Sequence, residues 1–287
     1  MRKAGFALFL LGVSVCATLA QVSVDLQLEQ DQFLPGEKLQ VAVRITNRSG
    51  RTLHLGSDAD WLTFSVEGKD GTVVHQLEDV PVKGEFDVEN SQRATKRVDI
   101  SQCFALTQAG RYTVLAKIKI KDWDQQVASL EKEFNIIEGS RLWAQDVGIP
   151  STNNAPPEVR KYILQQANYI NNKLRLYLRI TDEAGVKVIK AVPIGTVLSF
   201  SRPETQVDKL SNLHLLYQDW AHSFSYFVFN PDGELLTHAG YDFSGDRPRL
   251  RLDEDGNVEV SGGTRRAAAN NHPAPTLSSD DPKPSNP

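Results

Sequence analysis

The chain has 287 residues, 40% hydrophobic and 24% charged, with 32 Lys+Arg against 36 Asp+Glu for a formal net charge of −4. That length allows one large or two modest hydrophobic cores. The mildly acidic balance argues against affinity drawn from nucleic-acid phosphates or anionic lipid, both of which need clustered Lys and Arg.

Arg2-Lys3, the apolar run from Ala4 to Val15 and the closing Ala17-Thr18-Leu19-Ala20 have the layout of a secretory signal peptide over residues 1–20, cut after Ala20. The expected location is secreted or periplasmic. The mature chain from Gln21 keeps 30 Lys+Arg against 36 Asp+Glu, a net charge of −6. Val15 stands where a lipobox wants a smaller residue, so Cys16 is not read as a lipid anchor. Cys103 is then left alone, an intramolecular disulfide is impossible, and stability has to come from packing. No later apolar run reaches the roughly 18 residues needed to span a bilayer, so no transmembrane segment is expected in the mature chain.

From Val22 the residues alternate, with Val22, Val24, Leu26 and Leu28 on one face and polar residues on the other. Phe33-Leu34-Pro35-Gly36-Glu37 turns the chain, and Leu39, Val41, Val43 and Ile45 repeat the pattern up to Asn47. Strands are predicted at Thr52 to Leu55, Leu62 to Val66 and Thr72 to Leu77, with a short edge strand near Thr95 to Asp99. Leu106-x-x-x-Gly110-x-Tyr112 then opens a long strand whose Tyr112, Val114, Ala116, Ile118 and Ile120 share one face. A last strand carries Ala128, Leu130, Phe134 and Ile136.

Two phrases carry a family resemblance over residues 22–137. Pro-Gly-Glu-x-Leu-x-Val-x-Val-x-Ile-x-Asn from Pro35 to Asn47 resembles the opening of exported bacterial immunoglobulin-like and macroglobulin-like domains. Leu106, Gly110 and Tyr112 resemble the tyrosine corner that starts strand F of immunoglobulin-like sandwiches. The resemblance implies an antiparallel sandwich over 21–138 in which the Tyr112 phenol bonds back to upstream backbone. Val114 stands where antibody domains carry the disulfide Cys, so such a core would be disulfide-free.

Turn formers crowd residues 139–157, which reads as a linker. Glu158 to Ile170 fits a helix or a strand. Beyond it, Leu174 to Ile180, Val186 to Val192, Leu213 to Tyr217, Phe224 to Val228, Glu234 to His238 and Leu250 to Val258 read as a second β-rich domain over 158–263. Because Phe227 and Phe229 alternate with Phe224, Tyr226 and Val228, their strand is predicted to be buried on both faces. Residues 264–287 lack a core set and are expected to be disordered. The fold class is all-β: an immunoglobulin-like sandwich followed by an antiparallel meander or sandwich.

Chemistry-bearing residues give no convergent pattern. His54, His75, His214, His222, His238 and His272 show neither i,i+4 nor His-x-His spacing, and His222 and His238 can meet only across a hairpin. Asp253-Glu254-Asp255-Gly256-Asn257 begins like a calcium loop but has Val258 and Thr264 where an EF-hand needs Gly and Glu, so it reads as a hairpin turn. Asp58, Asp60 and Asp70 read as loop carboxylates, Cys103 as a small buried hydrophobe and Asn47-Arg48-Ser49 as a turn. No nucleophile elbow is present. Hence no catalytic, metal or cofactor residues are assigned. The residues singled out are the structural Leu106, Gly110 and Tyr112, and a candidate binding surface of Trp220, Tyr226 and Tyr241.

The sequence therefore points to an exported, non-enzymatic bacterial protein that acts by surface binding or in envelope organisation, toward a protein or glycan partner. Two alternatives are kept. The stretch Val43 to Val74, with Asn47, Phe64-x-Val66 and Gly71-x-Val73, is similar to small bacterial sandwich inhibitors of the intracellular proteinase inhibitor type. A carbohydrate-binding or carbohydrate-active module is the other, and it requires a groove in the second domain that displays aromatics and two carboxylates.

Overall fold

The computed structural model describes residues 22–149, 158–169, 173–243 and 245–267. The predicted signal peptide, residues 150–157 of the predicted linker and the predicted tail beyond 267 lie outside them. Among the described residues, no helix is long and apolar enough to cross a membrane. The fold is all-β, in sheets stacked as sandwiches that are antiparallel apart from one short parallel pairing of Gln32–Phe33 with Asn135 and Ile136.

The first region is built from β1 (Val22–Leu28), β2 (Gln32–Phe33), β3 (Gln40–Asn47), β4 (Leu53–Leu55), β5 (Leu62–Gly68), β6 (Phe86–Val88), β7 (Arg93–Asp99), β8 (Gly110–Ile120), β9 (Gln125–Ala128) and β10 (Lys132–Ile136). The sheet β1-β3-β7 faces the sheet β2-β10-β8-β5, and β9 pairs with the far end of β8. Period-two alternation decides which side faces in. Val41, Val43 and Ile45 of β3 and Tyr112, Val114, Ala116, Ile118 and Ile120 of β8 are all fully buried in one core. Leu106 lies in the same core. The Tyr112 hydroxyl donates to the Gln108 carbonyl at 2.7 Å, and its ring stacks on Phe134 at 5.6 Å. Cys103 is buried there too, and burial pushes its thiol up.

The predicted strand from Thr72 to Leu77 does not form. Only Gln76 makes a bridge, to Phe104. Val74 alone reaches the core from this stretch, while Val73 and Leu77 are exposed, so too little apolar surface is buried to hold a ladder.

The predicted linker also needs correction. Ser140–Ile149 is a strand, β11, paired from Ser140↔Gln166 to Ile149↔Glu158 with β12 (Glu158–Tyr169). It is an edge strand with mostly exposed side chains, so main-chain pairing rather than an apolar face holds it, and no alternation marks it in the sequence. Trp143 of this strand packs against the second core. β13 (Lys173–Asp182) and β14 (Val188–Val197) complete a four-stranded meander.

Then follow β15 (Glu204–Val207), β16 (Leu213–Trp220), β17 (Ser223–Phe229), β18 (Leu235–Asp242), β19 (Arg249–Leu252), β20 (Val258–Ser261) and β21 (Thr264–Arg265). The order β15-β16-β17-β18-β21 forms a five-stranded sheet, and β19 and β20 form a separate hairpin. Because Thr264 pairs with Asp242 and Arg265 with Tyr241, the sheet continues past residue 263, where the tail was expected to begin. Asp253 and Gly256 close the β19–β20 turn, with the Asp253 carboxylate accepting from the Asp255 and Asn257 N–H groups.

The two regions touch at the turn between β2 and β3. Leu34 packs with Ala167 and Tyr177, and Glu37 makes a parallel bridge to Ala191. Gly36 has a positive φ of 79°, and a Cβ there would fall 2.6 Å from Val188 Cγ1, so both backbone and space require glycine. The Glu37 side chain is only 4% exposed. Its carboxylate accepts from the Leu34 N–H at 2.8 Å and the Gln30 amide at 2.7 Å, and Gln30 in turn accepts from Arg175 at 2.9 Å.

Two outcomes are expected. Tyr112→Phe leaves the Gln108 carbonyl without its donor and should cost about 1 kcal/mol, read as a melting-temperature drop of roughly 2–4 °C. Glu37 gives a pH signature. Burial raises its pKa above the ordinary 4.5, only partly opposed by the Leu34 N–H, Gln30 and Arg175. A carboxyl raised in the native state contributes stability that is present below its unfolded value and lost as pH rises through the native one. The melting-temperature difference between the native protein and Glu37→Gln should therefore shift in favour of the variant as pH rises through and above the ordinary carboxylate range. A difference that stays constant would show that Glu37 is not desolvated.

Candidate functional site

Every residue of β17 is buried. On one face, Phe227 and Phe229 join Leu213, Leu215 and Tyr217 of β16 in the core shared with β12, β13 and β14. On the other, Phe224, Tyr226 and Val228 pack against Leu250, Val258 and Val260 of the β19–β20 hairpin. The first face changes size along its length: Phe229 and Phe227 are followed by Ser225 and Ser223. Aromatic rings fill the roughly 10 Å between packed sheets; serines do not.

The neighbouring strands thin out at the same end. Gly240 of β18 is flanked by Ala239 and Tyr241, which face the hairpin, and Gly195 of β14 sits between Ile194 and Thr196. A cleft of about 900 Å³ opens there between the two sheets. Leu174, Ile194, Val197 and Phe227 supply apolar wall, and Tyr217, Asp219, Ser225, His238, Asp242 and Arg266 supply polar groups.

The Ser225 hydroxyl donates to Asp219 Oδ2 at 2.7 Å. Tyr217 hydrogen-bonds Ser225 as well, and burial lifts its phenol far above the ordinary range. Its hydroxyl fits only because residue 195 is glycine: a Cβ there would sit 2.5 Å from the oxygen. His238 stacks on Phe227 at 4.3 Å, and burial, then the Arg266 charge, holds its imidazole below the ordinary 6.5, which keeps it neutral at pH 7. Arg266 lies across Gly240, where a Cβ would come within 2.3 Å of Nε, and its guanidinium is 3.7 Å from Asp242. Among the described residues, Asp219 Oδ1 and Arg266 Nε have no hydrogen-bond partner although both atoms are buried. Such groups are uncommon in native interiors.

Trp220 stands at the mouth, 72% exposed. It follows a register shift in the β16–β17 ladder between Gln218 and Trp220, and such irregularities commonly re-aim a side chain. Phe200, one residue beyond the lining Ser199, is 78% exposed.

Of the sequence-derived surface, the fold brings only Trp220 to the cleft. Tyr226 and Tyr241 lie on the opposite sheet face, 6.3 Å apart edge to face, under the β19–β20 hairpin. The Tyr226 hydroxyl and His214 Nδ1 share a hydrogen bond of 2.7 Å, and His214 Nε2 donates to Asp208 at 3.2 Å. Leu106, Gly110 and Tyr112 belong to the first region and take no part. His222 and His238 do not pair across the hairpin, since His238 stands opposite Phe227, but both line the cleft. Asp58, Asp60 and Asp70 pair with Lys121, Lys119 and Arg111. Tyr217, Asp219, Ser225, Arg266 and Gly195 were missed. The step from Ser to Phe on one strand face was the signal for the cleft; nothing in the sequence marks Arg266.

The arrangement offers hydrogen-bonding groups beside an apolar wall. Ser225 gives its proton to a carboxylate, and His238 faces a ring. Gly195→Ala should displace the Tyr217 hydroxyl and cost about 1–3 kcal/mol in urea unfolding. Gly148→Ala, where a Cβ would meet nothing within 4 Å, should leave stability unchanged or raise it by up to about 1 kcal/mol.

No family model matches this chain, and no curated protein matches it in sequence. Among solved structures, the crystal structure of Spo0M, a sporulation control protein from Bacillus subtilis, is similar at 12% identity over 70% of this chain and 80% of that chain, with a TM-score of 0.32. A likeness at that level informs neither family nor function.

Proposed function

We propose that this protein is exported and acts without catalysis, by holding a ligand in the cleft between the two sheets of its second region. The observation that carries this reading is the cleft itself, about 900 Å³ with an apolar wall, a polar floor and an exposed Trp220 at its mouth. Binding sites for small ligands have this size and this mixture of surfaces. A non-catalytic role is supported by the Ser225 hydroxyl, which donates to the Asp219 carboxylate rather than to an imidazole.

Export is supported by the charged, then apolar, then small-residue order of residues 1–20. Secretion or periplasmic residence places the ligand or partner in the cell envelope or beyond it.

Mass spectrometry of the protein recovered from the periplasm or medium should give an N-terminus at Gln21; retention of residues 1–20 in the cytoplasm would count against export. Ligand-observed NMR with a chemically diverse fragment library should give hits on the native protein that are lost in Ser199→Arg, which places a long charged side chain at the exposed rim. The hits should remain unchanged in composition after prolonged incubation. Hits that persist in the variant would place binding elsewhere, and consumption of a hit would make the protein an enzyme.

A further inference from the structure

Resting on the cleft reading above, we infer that the ligand is a neutral oligosaccharide, with one sugar ring stacked on Trp220 and its hydroxyls shared between the Asp219 carboxylate and the Arg266 guanidinium.

Charge narrows the class first. The cleft holds Asp219 and Asp242 against Arg266 and Lys173, and Arg266 is already beside Asp242 at 3.7 Å. An anionic ligand would meet two carboxylates and a cationic one would meet a guanidinium, so neither sign gains. What remains is a neutral molecule with many donors and acceptors. Sugar hydroxyls are both at once, and so can accept from Arg266 and donate to Asp219, the two cleft-lining side chains with an unpartnered buried atom among the described residues. Rotation about the terminal torsion of Asp219 exchanges its two oxygens, so a hydroxyl that takes one oxygen leaves the other to Ser225.

The mouth narrows it further. An exposed indole offers a flat apolar face to the C–H side of a sugar ring while the ring's hydroxyls point to the polar floor. Phe200, exposed near the same rim, extends that apolar edge. The volume, about 900 Å³, is at the upper end for small-ligand pockets and suits a short chain of rings. A peptide strand fits less well. The centre of the floor is β17, whose main chain is paired along both edges. Strand addition at the centre of the floor is therefore closed, and a peptide would have to use the outer edge of β14, which among the described residues pairs only with β13 beyond the Glu37 bridge.

The test is isothermal titration of the full mature chain with neutral cello-, xylo-, malto- and chito-oligosaccharides, and separately with a pool of uncharged penta- to decapeptides. At least one oligosaccharide series should bind, Trp220→Ala should weaken it roughly tenfold or more, and Trp220→Tyr should restore most of the affinity. Asp219→Asn should weaken binding too. Because Trp220 is exposed, its variants should keep the native melting temperature. Oligosaccharide binding that is indifferent to Trp220→Ala, or peptide binding that is sensitive to it with no oligosaccharide bound, would overturn the sugar inference; the second result would leave the cleft as a ligand site. No binding in either arm overturns the sugar inference, and the fragment screen with Ser199→Arg then decides whether the cleft reading falls with it.

Discussion

A strand buried on both faces needs a covering layer on each side, and Ser223–Phe229 is such a strand. Its two apolar faces set the thickness of the second region. Phe227 and Phe229 require the four-stranded meander on one side, and Phe224, Tyr226 and Val228 require the β19–β20 hairpin on the other. The cleft follows from the same strand. Where its face toward the meander changes from phenylalanine to serine, the sheets remain separated by the aromatic layer further along, and the volume between them is not filled. Gly195 and Gly240 leave the room along its edges that the Tyr217 hydroxyl and the Arg266 side chain occupy.

The joint between the regions depends on a different constraint. Pro35 and Gly36 form a turn that, by sequence, serves only to reverse the chain between two strands. In the folded protein it is wedged against Val188, and Glu37 behind it is withdrawn from water. Burying a carboxylate is unfavourable unless its oxygens are occupied, and here Leu34, Gln30 and, through Gln30, Arg175 offset part of that cost. The apolar trio of Leu34, Ala167 and Tyr177 adds contact area beside it. Together these contacts tie the polar network of the first region to the meander that forms one wall of the cleft.

What could be read from the sequence was whatever periodicity encodes. Alternation in β1, β3 and β8 gave strands, faces and the core, and double-sided apolarity placed β17 at the centre. Edge strands were the failure. Ser140–Ile149 has mostly exposed side chains, and its order comes from hydrogen bonds to β12 that carry no residue signature. The reverse error at Thr72 to Leu77 has the same origin, because the alternation is there but the partner surface is not. At the cleft, Trp220 was visible as an aromatic among aromatics, yet Tyr226 and Tyr241, grouped with it by composition, turn to the other face. Strand parity separates Tyr226 from Phe227, but the shift between Gln218 and Trp220 cannot be counted without the ladder.

The two faces of the five-stranded sheet also treat their ionisable groups differently. Beneath the hairpin, burial pushes the Asp208 carboxyl up, but donation from Asn212, His214 and the Leu210 N–H outweighs it and holds the group below the ordinary carboxylate range. His214 passes the chain on to Tyr226, whose phenol burial pushes up to about 12. Each of these groups has a partner, as expected where the only role is to keep a polar network inside a core. On the cleft face, Asp219 and Arg266 each retain an unpartnered atom in an equally enclosed setting. Leaving such atoms unpaired costs about 1–3 kcal/mol each. Under the hairpin Gln206 Oε1 also lacks a partner among the described residues, but it lies beneath a covering layer, whereas Asp219 and Arg266 line an opening through which a ligand can bring the missing partners.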